Sequence, residues 1–245
     1  MSSSKLSSPV TFLLIFALVF QTCFGANPLY HFCSSSQNFK ANSPYESNLK
    51  TLINSLIYRT PSTGFGVGSV GQYQNEKAYG LALCRGDVSS SECKTCVSDA
   101  TKEILSRCPY NKGGIIWYDN CMLKYLDTDF FGKIDNTNKF SLLNVRNVSD
   151  PAMFNYMTKE LLSLLAYTAS LSPKMYASGE LKIGGESKDI YGLTQCTRDL
   201  SSSDCNKCLD DAISQLPNCC DGKEGGRVVA GSCNIRYEIY PFVKA

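Results

Sequence analysis

The sequence predicts an α+β protein of two tandem domains, each an antiparallel sheet packed on two helices and stapled by disulfides. Three observations carry that reading. The pattern Cys-x8-Cys-x2-Cys occurs twice in the 245-residue chain. The second occurrence repeats the first at a constant offset and without a gap. Each copy also runs through the same order of helical and strand-like periodicities.

The first cysteine set is Cys84, Cys93 and Cys96, followed by Cys108 and Cys121; the second is Cys196, Cys205 and Cys208, followed by Cys220 and Cys233. Every member of the second lies 112 residues beyond its partner, as 196 lies beyond 84. The text between them matches too. Tyr79-Gly80-Leu81 answers Tyr191-Gly192-Leu193, Asp87 answers Asp199, and Ser89-Ser90-Ser91 answers Ser201-Ser202-Ser203. Chance does not align five cysteines and their neighbours in this way, so the chain is a tandem duplication.

Residues 1–25 read as a secretory signal that is cleaved. Lys5 precedes the apolar run Val10 to Phe20, and Cys23 and Gly25 supply the small residues before a cut at Ala26. The run is well short of the roughly 20 residues of a spanning helix, and no later stretch reads as a membrane span. Cleavage removes Cys23 and leaves 12 of the 13 cysteines, an even number that suits full pairing in an oxidising compartment. It also removes Lys5, leaving 23 basic against 22 acidic side chains. A charge so near zero gives no electrostatic case for nucleic acid or an anionic membrane as partner. The remainder divides into 26–133 as the first domain, 134–150 as linker and start of the second repeat, and 138–245 as the second domain.

In the first repeat Leu49, Leu52, Ile53 and Leu56 recur at helical spacing, with Ser47, Asn48 and Lys50 opposite. In the second, Asp150-Pro151 opens a helix whose apolar face is Met157, Leu161, Leu162, Leu164 and Leu165. The Gly- and Ser-rich stretch Tyr58 to Gln74 reads as a loop or irregular hairpin, and its glycines lack the spacing of a phosphate-binding loop. Tyr79 to Cys84 and Tyr191 to Cys196 read as strands entering the cysteine motif. A second helix sits on the motif itself. Ser89 with Glu92, and Ser201 with Asp204, have the spacing of a capping box or its near variant. Cys93, Cys96, Val97, Ala100 and Ile104 share a face, as do Cys205, Cys208, Leu209, Ala212, Ile213 and Leu216. Residues three apart are neighbours on a helix, so both motif cysteines should turn inward, one to the incoming strand and one to a later strand. Ile115 to Tyr118, Met122 to Leu126, Arg227 to Ala230 and Ile235 to Val243 read as further strands.

Two such motifs behind a signal segment, with the closing phrase Cys233-Asn234-Ile235-Arg236-Tyr237-Glu238, resemble the plant cysteine-rich repeat secretory proteins. Their repeat is the ginkbilobin-2-homologous (DUF26, stress-antifungal) domain. The resemblance implies a roughly five-stranded sheet in each repeat, and it implies a disulfide pairing that the residues alone leave open. The implied pairs are Cys33–Cys108, Cys84–Cys93 and Cys96–Cys121, then Cys196–Cys205 and Cys208–Cys233. No cysteine near Leu142 to Asn144 answers Cys33. Cys219 and Cys220 are therefore left to form a vicinal disulfide, to stay free, or to reach another chain.

Catalysis is hard to build from these residues. Zinc would need further ligands, yet His31 is the single histidine, and an oxidising compartment favours bridges over thiolate sites. Cys93-Lys94-Thr95-Cys96 lacks the βαβ context of a redox motif. Asp119, Asp127 and Asp129 cluster as a solvated turn would. No enzyme, metal or cofactor is expected.

A binding site fits better. The resemblance implies a mannose site made by an Asn just after the first cysteine, an Arg six residues before the last and a Glu five after it. In the second repeat these are Asn144, Arg227 and Glu238; in the first the positions hold Ser34, Ile115 and Leu126. Arg, Glu and an amide can donate to and accept from vicinal sugar hydroxyls, whereas the plainer reading of Arg227 and Glu238 is a cross-strand salt bridge. Asn147-Val148-Ser149 is a glycosylation sequon in the linker. The expected protein is secreted to the apoplast, serves plant defence or stress response, and binds fungal wall mannan or mannose. The alternative is an extracellular protein–protein interaction module with a vestigial sugar site.

Overall fold

The computed structural model describes residues 27–34, 38–183 and 189–244; the signal segment read over 1–25 lies outside them. The first repeat comprises β1 (Tyr30–Cys33), α1 (Pro44–Thr63), β2 (Phe65–Val70), β3 (Ala78–Cys84), α2 (Ser90–Arg107), β4 (Gly114–Trp117) and β5 (Cys121–Leu126). The second comprises β6 (Phe140–Leu143), α3 (Pro151–Leu171), β7 (Tyr176–Leu181), β8 (Ile190–Cys196), α4 (Ser202–Ile213), the single turn α5 (Leu216–Cys219), β9 (Gly225–Val229) and β10 (Cys233–Glu238). Each repeat makes a five-stranded sheet, in the orders β1-β4-β5-β3-β2 and β6-β9-β10-β8-β7, antiparallel throughout.

Side chains fix the helix starts. Ser89 and Glu92 close a reciprocal capping box at α2, Ser201 accepts from the Asp204 N–H at α4, and Asp150 accepts from the Met153 N–H with Pro151 in the first turn of α3. Three expectations change. Tyr58 to Gln74, read as a loop or irregular hairpin, is a hairpin only in its second part: α1 runs through Pro61 to Thr63 and ends at Gly64 in the left-handed region (φ 78), and β2 follows, paired antiparallel with β3. Pro61 gives up one backbone bond near the end of a helix already held by its buried face. Leu164 does not join the core face of α3 but is 63% exposed, because that face turns on Leu161, Leu162 and Leu165. The last strand also stops at Glu238, short of Val243.

The helix pair of each repeat packs on one face of its own sheet. Tyr45, Leu49, Leu52, Ile53, Val97 and Ile104 fill the first core, and Phe154, Leu161, Leu162, Leu165, Leu209 and Ile235 the second. The helices lie close over the duplicated glycines, where a Cβ on Gly80 would meet Leu52 and Leu56 and one on Gly192 would meet Leu161 and Leu165. That contact equates Leu52 with Leu161 and Leu56 with Leu165.

Bridges join Cys84 to Cys93 and Cys96 to Cys121, so two cysteines one helical turn apart tie α2 to β3 and β5. Cys196–Cys205 and Cys208–Cys233 repeat the arrangement, and Cys33–Cys108 pins β1 behind α2. Each such bridge stabilises by about 2–4 kcal/mol. Leu143 pairs with Gly226 as Cys33 pairs with Gly114. It therefore stands where a cysteine would complete the second set, and Cys220 bridges its neighbour Cys219.

A third core joins the repeats. Leu81, Leu83, Ile115, Trp117 and Met122, on the outer face of the first sheet, pack with Val229 of β9, and Phe130 and Phe140 lie against them. Around this core, Gln195 Nε2 donates to the Cys84 carbonyl at 3.0 Å, Arg198 Nη1 to Thr63 at 2.8 Å and Lys174 Nζ to Gly86 at 3.2 Å. Lys124 and Asp135 form an ion pair at 2.6 Å with both side chains under a tenth exposed.

Candidate functional site

Arg227 lies mid-strand in β9, opposite Arg236 of β10 on one side and Leu142 of β6 on the other. Two guanidinium groups side by side repel unless anions separate them. Asp119, in the turn between β4 and β5 of the other repeat, supplies one: its Oδ1 is 2.8 Å from Arg227 Nη1 and 3.6 Å from Arg236 Nη1. Glu238 supplies the second, its Oε1 accepting from Arg236 Nε at 3.0 Å and lying 3.0 Å from Nη2. Arg236 also lies over the Phe242 ring, 4.2 Å from its centroid.

The plainer expectation, a bridge between Arg227 and Glu238, is thus overturned. Register sets Arg227 against Arg236 and Glu238 against Gly225, so each charge finds a different partner. Asp119 is correspondingly more than a solvated turn residue. Gly225 is required locally, since a Cβ there would fall on the Glu238 carboxylate.

Asn144 follows β6, and its N–H donates to the Gly225 carbonyl at 2.8 Å as the Ser34 N–H donates to Gly113 at 2.9 Å. Register therefore makes Asn144 the counterpart of Ser34 despite the missing cysteine. Its Oδ1 accepts from the Arg146 N–H at 3.0 Å. Asn144, Arg227 and Glu238 line one open cavity of about 250 Å³, together with Asp119, Arg236 and Tyr240.

Burial lowers the Arg227 pKa to about 10, with Asp119 opposing the shift and Arg236 adding to it; the group is charged at neutral pH. Its Nε is buried without a hydrogen-bond partner, so the guanidinium's donors are not all used. Two cations and two anions leave the cavity near neutrality. Such alternating donors and acceptors suit a neutral, hydroxyl-rich ligand and favour neither an anion nor a cation. Tyr240, 47% exposed, offers an aromatic face at the rim.

In the first repeat the equivalent positions serve another purpose. Ile115 is 3% exposed in the core between the repeats, and Leu126 packs where a Cβ on Gly113 would fall. The sequence does not single out Arg236 and Tyr240 as site residues, and it places Asp119 only in a solvated turn with Asp127 and Asp129. Comparing the copies holds the available signal for Asp119, whose counterpart 112 residues on is Gly231.

Among the described residues, His31, Cys33 and Cys108 bring three metal-type ligand atoms within 4.8 Å. The two sulfurs are bonded to each other, which leaves the imidazole as the one free ligand. Asn147 is exposed, and its Oδ1 accepts from Lys223 Nζ at 2.8 Å. No helix among the described residues is long and apolar enough to cross a membrane.

The salt stress response/antifungal family matches residues 32–128 and again 143–240. The chain is 59% identical over 245 residues to an antimicrobial ginkbilobin-2-like protein of Castanea crenata, covering 100% of both chains. It is 56% identical over 219 residues to cysteine-rich repeat secretory protein 38 of Arabidopsis thaliana, covering 88% of this chain and 86% of that one. The crystal structure of the tandem DUF26 ectodomain of the Arabidopsis thaliana cysteine-rich receptor-like protein PDLP8 superposes with a TM-score of 0.77 at 28% identity, over 87% of this chain and 98% of that chain. The corresponding ectodomain of PDLP5 gives 0.71 at 28% identity, over 88% and 100%.

Proposed function

This chain belongs to the salt stress response/antifungal family as a secreted tandem-repeat member, and on that premise we propose that it acts by binding a mannose-type sugar in the cavity of Arg227, Glu238 and Asn144. The observation that supports this reading most is the meeting of those three residues, with Asp119 and Arg236, in one charge-balanced cavity. The volume is below the roughly 300–1,000 Å³ of drug-sized sites, so the cavity takes a single sugar ring at a chain end rather than a length of polymer. Arg227 offers forked donors to a pair of hydroxyls, Glu238 and Asp119 accept, and Asn144 does both. The protein is then an apoplastic defence or stress protein that acts on fungal wall mannan without turning it over, and its sequon at Asn147 carries a glycan.

Retention of the secreted protein on immobilised mannan tests the reading. Wild type should be retained and released by free mannose. Arg227→Lys keeps a charge for Asp119 but loses the fork, and should weaken binding roughly ten- to a hundredfold with an unchanged melting temperature. A second reading, a protein–protein module with a vestigial sugar site, is favoured by one observation: Arg227 and Glu238 already hold Asp119 and Arg236 as partners. Wild type that passes unretained would leave that reading standing.

A further inference from the structure

Helix α3 is apolar on two opposite faces. One is its core face. On the other, Met153, Tyr156, Leu164, Tyr167 and Leu171 are between 52% and 63% exposed. Single exposed apolar residues are ordinary, but at 3.6 residues per turn these five fall within an arc of about 80°. They form a ridge along the whole 21-residue helix, about 30 Å long, broken on that line by Glu160 alone.

The duplicated helix is an internal control. With Leu52 equivalent to Leu161, α1 carries Pro44, Ser47, Ser55 and Ser62 where α3 carries Met153, Tyr156, Leu164 and Leu171; Tyr58 alone answers in kind, for Tyr167. Both helices bury the same face on the same kind of sheet, so folding does not call for the ridge. A surface that one copy keeps polar and the other makes apolar is there to be covered.

We propose that it is covered by a second copy of this chain, the two α3 helices lying antiparallel across a two-fold axis. The ridge reads nearly the same from either end, aliphatic then aromatic, Met153 and Tyr156 at one end and Leu171 and Tyr167 at the other. An axis through its middle sets Met153 against the second copy's Leu171 and Tyr156 against its Tyr167, the self-complementarity an isologous interface requires. The near-balance of 23 basic against 22 acidic side chains after cleavage does not oppose self-approach. Covering five large, half-exposed side chains removes on the order of 600 Å² from each copy, at the low end for specific interfaces, so the dimer is a reversible one with a dissociation constant on the order of micromolar. Two copies would offer two Arg227 cavities to one mannan surface; that consequence rests on the sugar reading, whereas the self-association does not.

Sedimentation velocity of the secreted protein, from about 0.05 to about 300 μM, tests the proposal by bracketing such constants. The mass should rise from monomer to dimer across that range. Leu164→Glu should raise the dissociation constant by roughly thirtyfold or more with no change in melting temperature, and Ser55→Glu on the matching face of α1 should leave it unchanged. Tyr167→Ser is the milder variant should the glutamate impair folding. A wild type that stays monomeric throughout overturns the proposal, as does a dimer that survives both ridge substitutions.

Discussion

Replacing Asp135 with alanine is expected to destabilise the folded chain by about 3–5 kcal/mol, the usual cost of leaving a buried charge without its partner. The ion pair with Lys124 spans 2.6 Å, with side-chain exposures of 6% and 9%. Asp135 also fastens the linker, since its N–H donates to Ser232 Oγ at 2.9 Å and its carboxylate accepts from Asn138 Nδ2 at 2.8 Å. Without the carboxylate the Lys124 ammonium stays buried between the repeats, with the Phe130 ring 4.6 Å away as weak compensation. Adding Lys124→Met should recover most of the loss, because the stranded charge then disappears. Denaturant midpoints followed by the emission of Trp117, the single tryptophan of the chain, give both values. The effect should depend on pH with a definite sign. Burial alone would raise the Asp135 pKa, but Lys124 and the Asn138 hydrogen bonds outweigh it and hold the value at about 2. A folded pKa below the unfolded one contributes stability that is full above about pH 4 and is lost as pH falls towards about 2. The gap between wild type and Asp135→Ala should therefore narrow across that window. A gap that stays constant would show that the carboxylate's charge is not what holds the junction.

Trp117→Ala is expected to cost a further large amount, about 3–5 kcal/mol, from the core between the repeats rather than from either domain's own core. The indole is 3% exposed and meets Phe32 and Phe140 edge-on, with ring centroids 5.8 Å and 5.2 Å away. Phe140 belongs to the second repeat, so truncation opens a void at the junction. Trp117→Phe should cost much less, under about 1.5 kcal/mol, because the indole N–H has no hydrogen-bond partner to lose. Circular dichroism on heating should show one transition for wild type and for the phenylalanine variant. For the alanine variant the repeats should melt apart, as two transitions. A single unshifted transition there would mean that the third core contributes little.

Most of the fold can be read from local pattern, because each repeat carries its own signals. The Ser89 and Ser201 caps, the helical stripes and the cysteine spacing each depend on residues close in the chain. What escapes depends on the other repeat. The outer face of the first sheet looks like any strand face until Val229 and Phe140 are brought to it. β1 and β6 have four residues each and little periodicity, and β2 hides behind glycines that the neighbouring helix needs. Of the candidate cavity, family resemblance supplies Asn144, Arg227 and Glu238. Asp119 is hidden because it lies in the other repeat, 108 residues from the arginine it holds. Leu164 was misplaced for a related reason: periodicity assigns every leucine to the core and cannot recognise a second apolar face meant for a partner.

Amide shifts of the isotope-labelled protein on titration with methyl mannoside test the central claim most directly. A sugar in the cavity should move the amides of Asn144, Gly225, Gly226 and Arg227 together, leave those of Ser34 and Ile115 in place, and lose its effect in Arg227→Lys. Amides around Arg227 that stay still at saturating sugar, or shifts confined to another part of the surface, would contradict it.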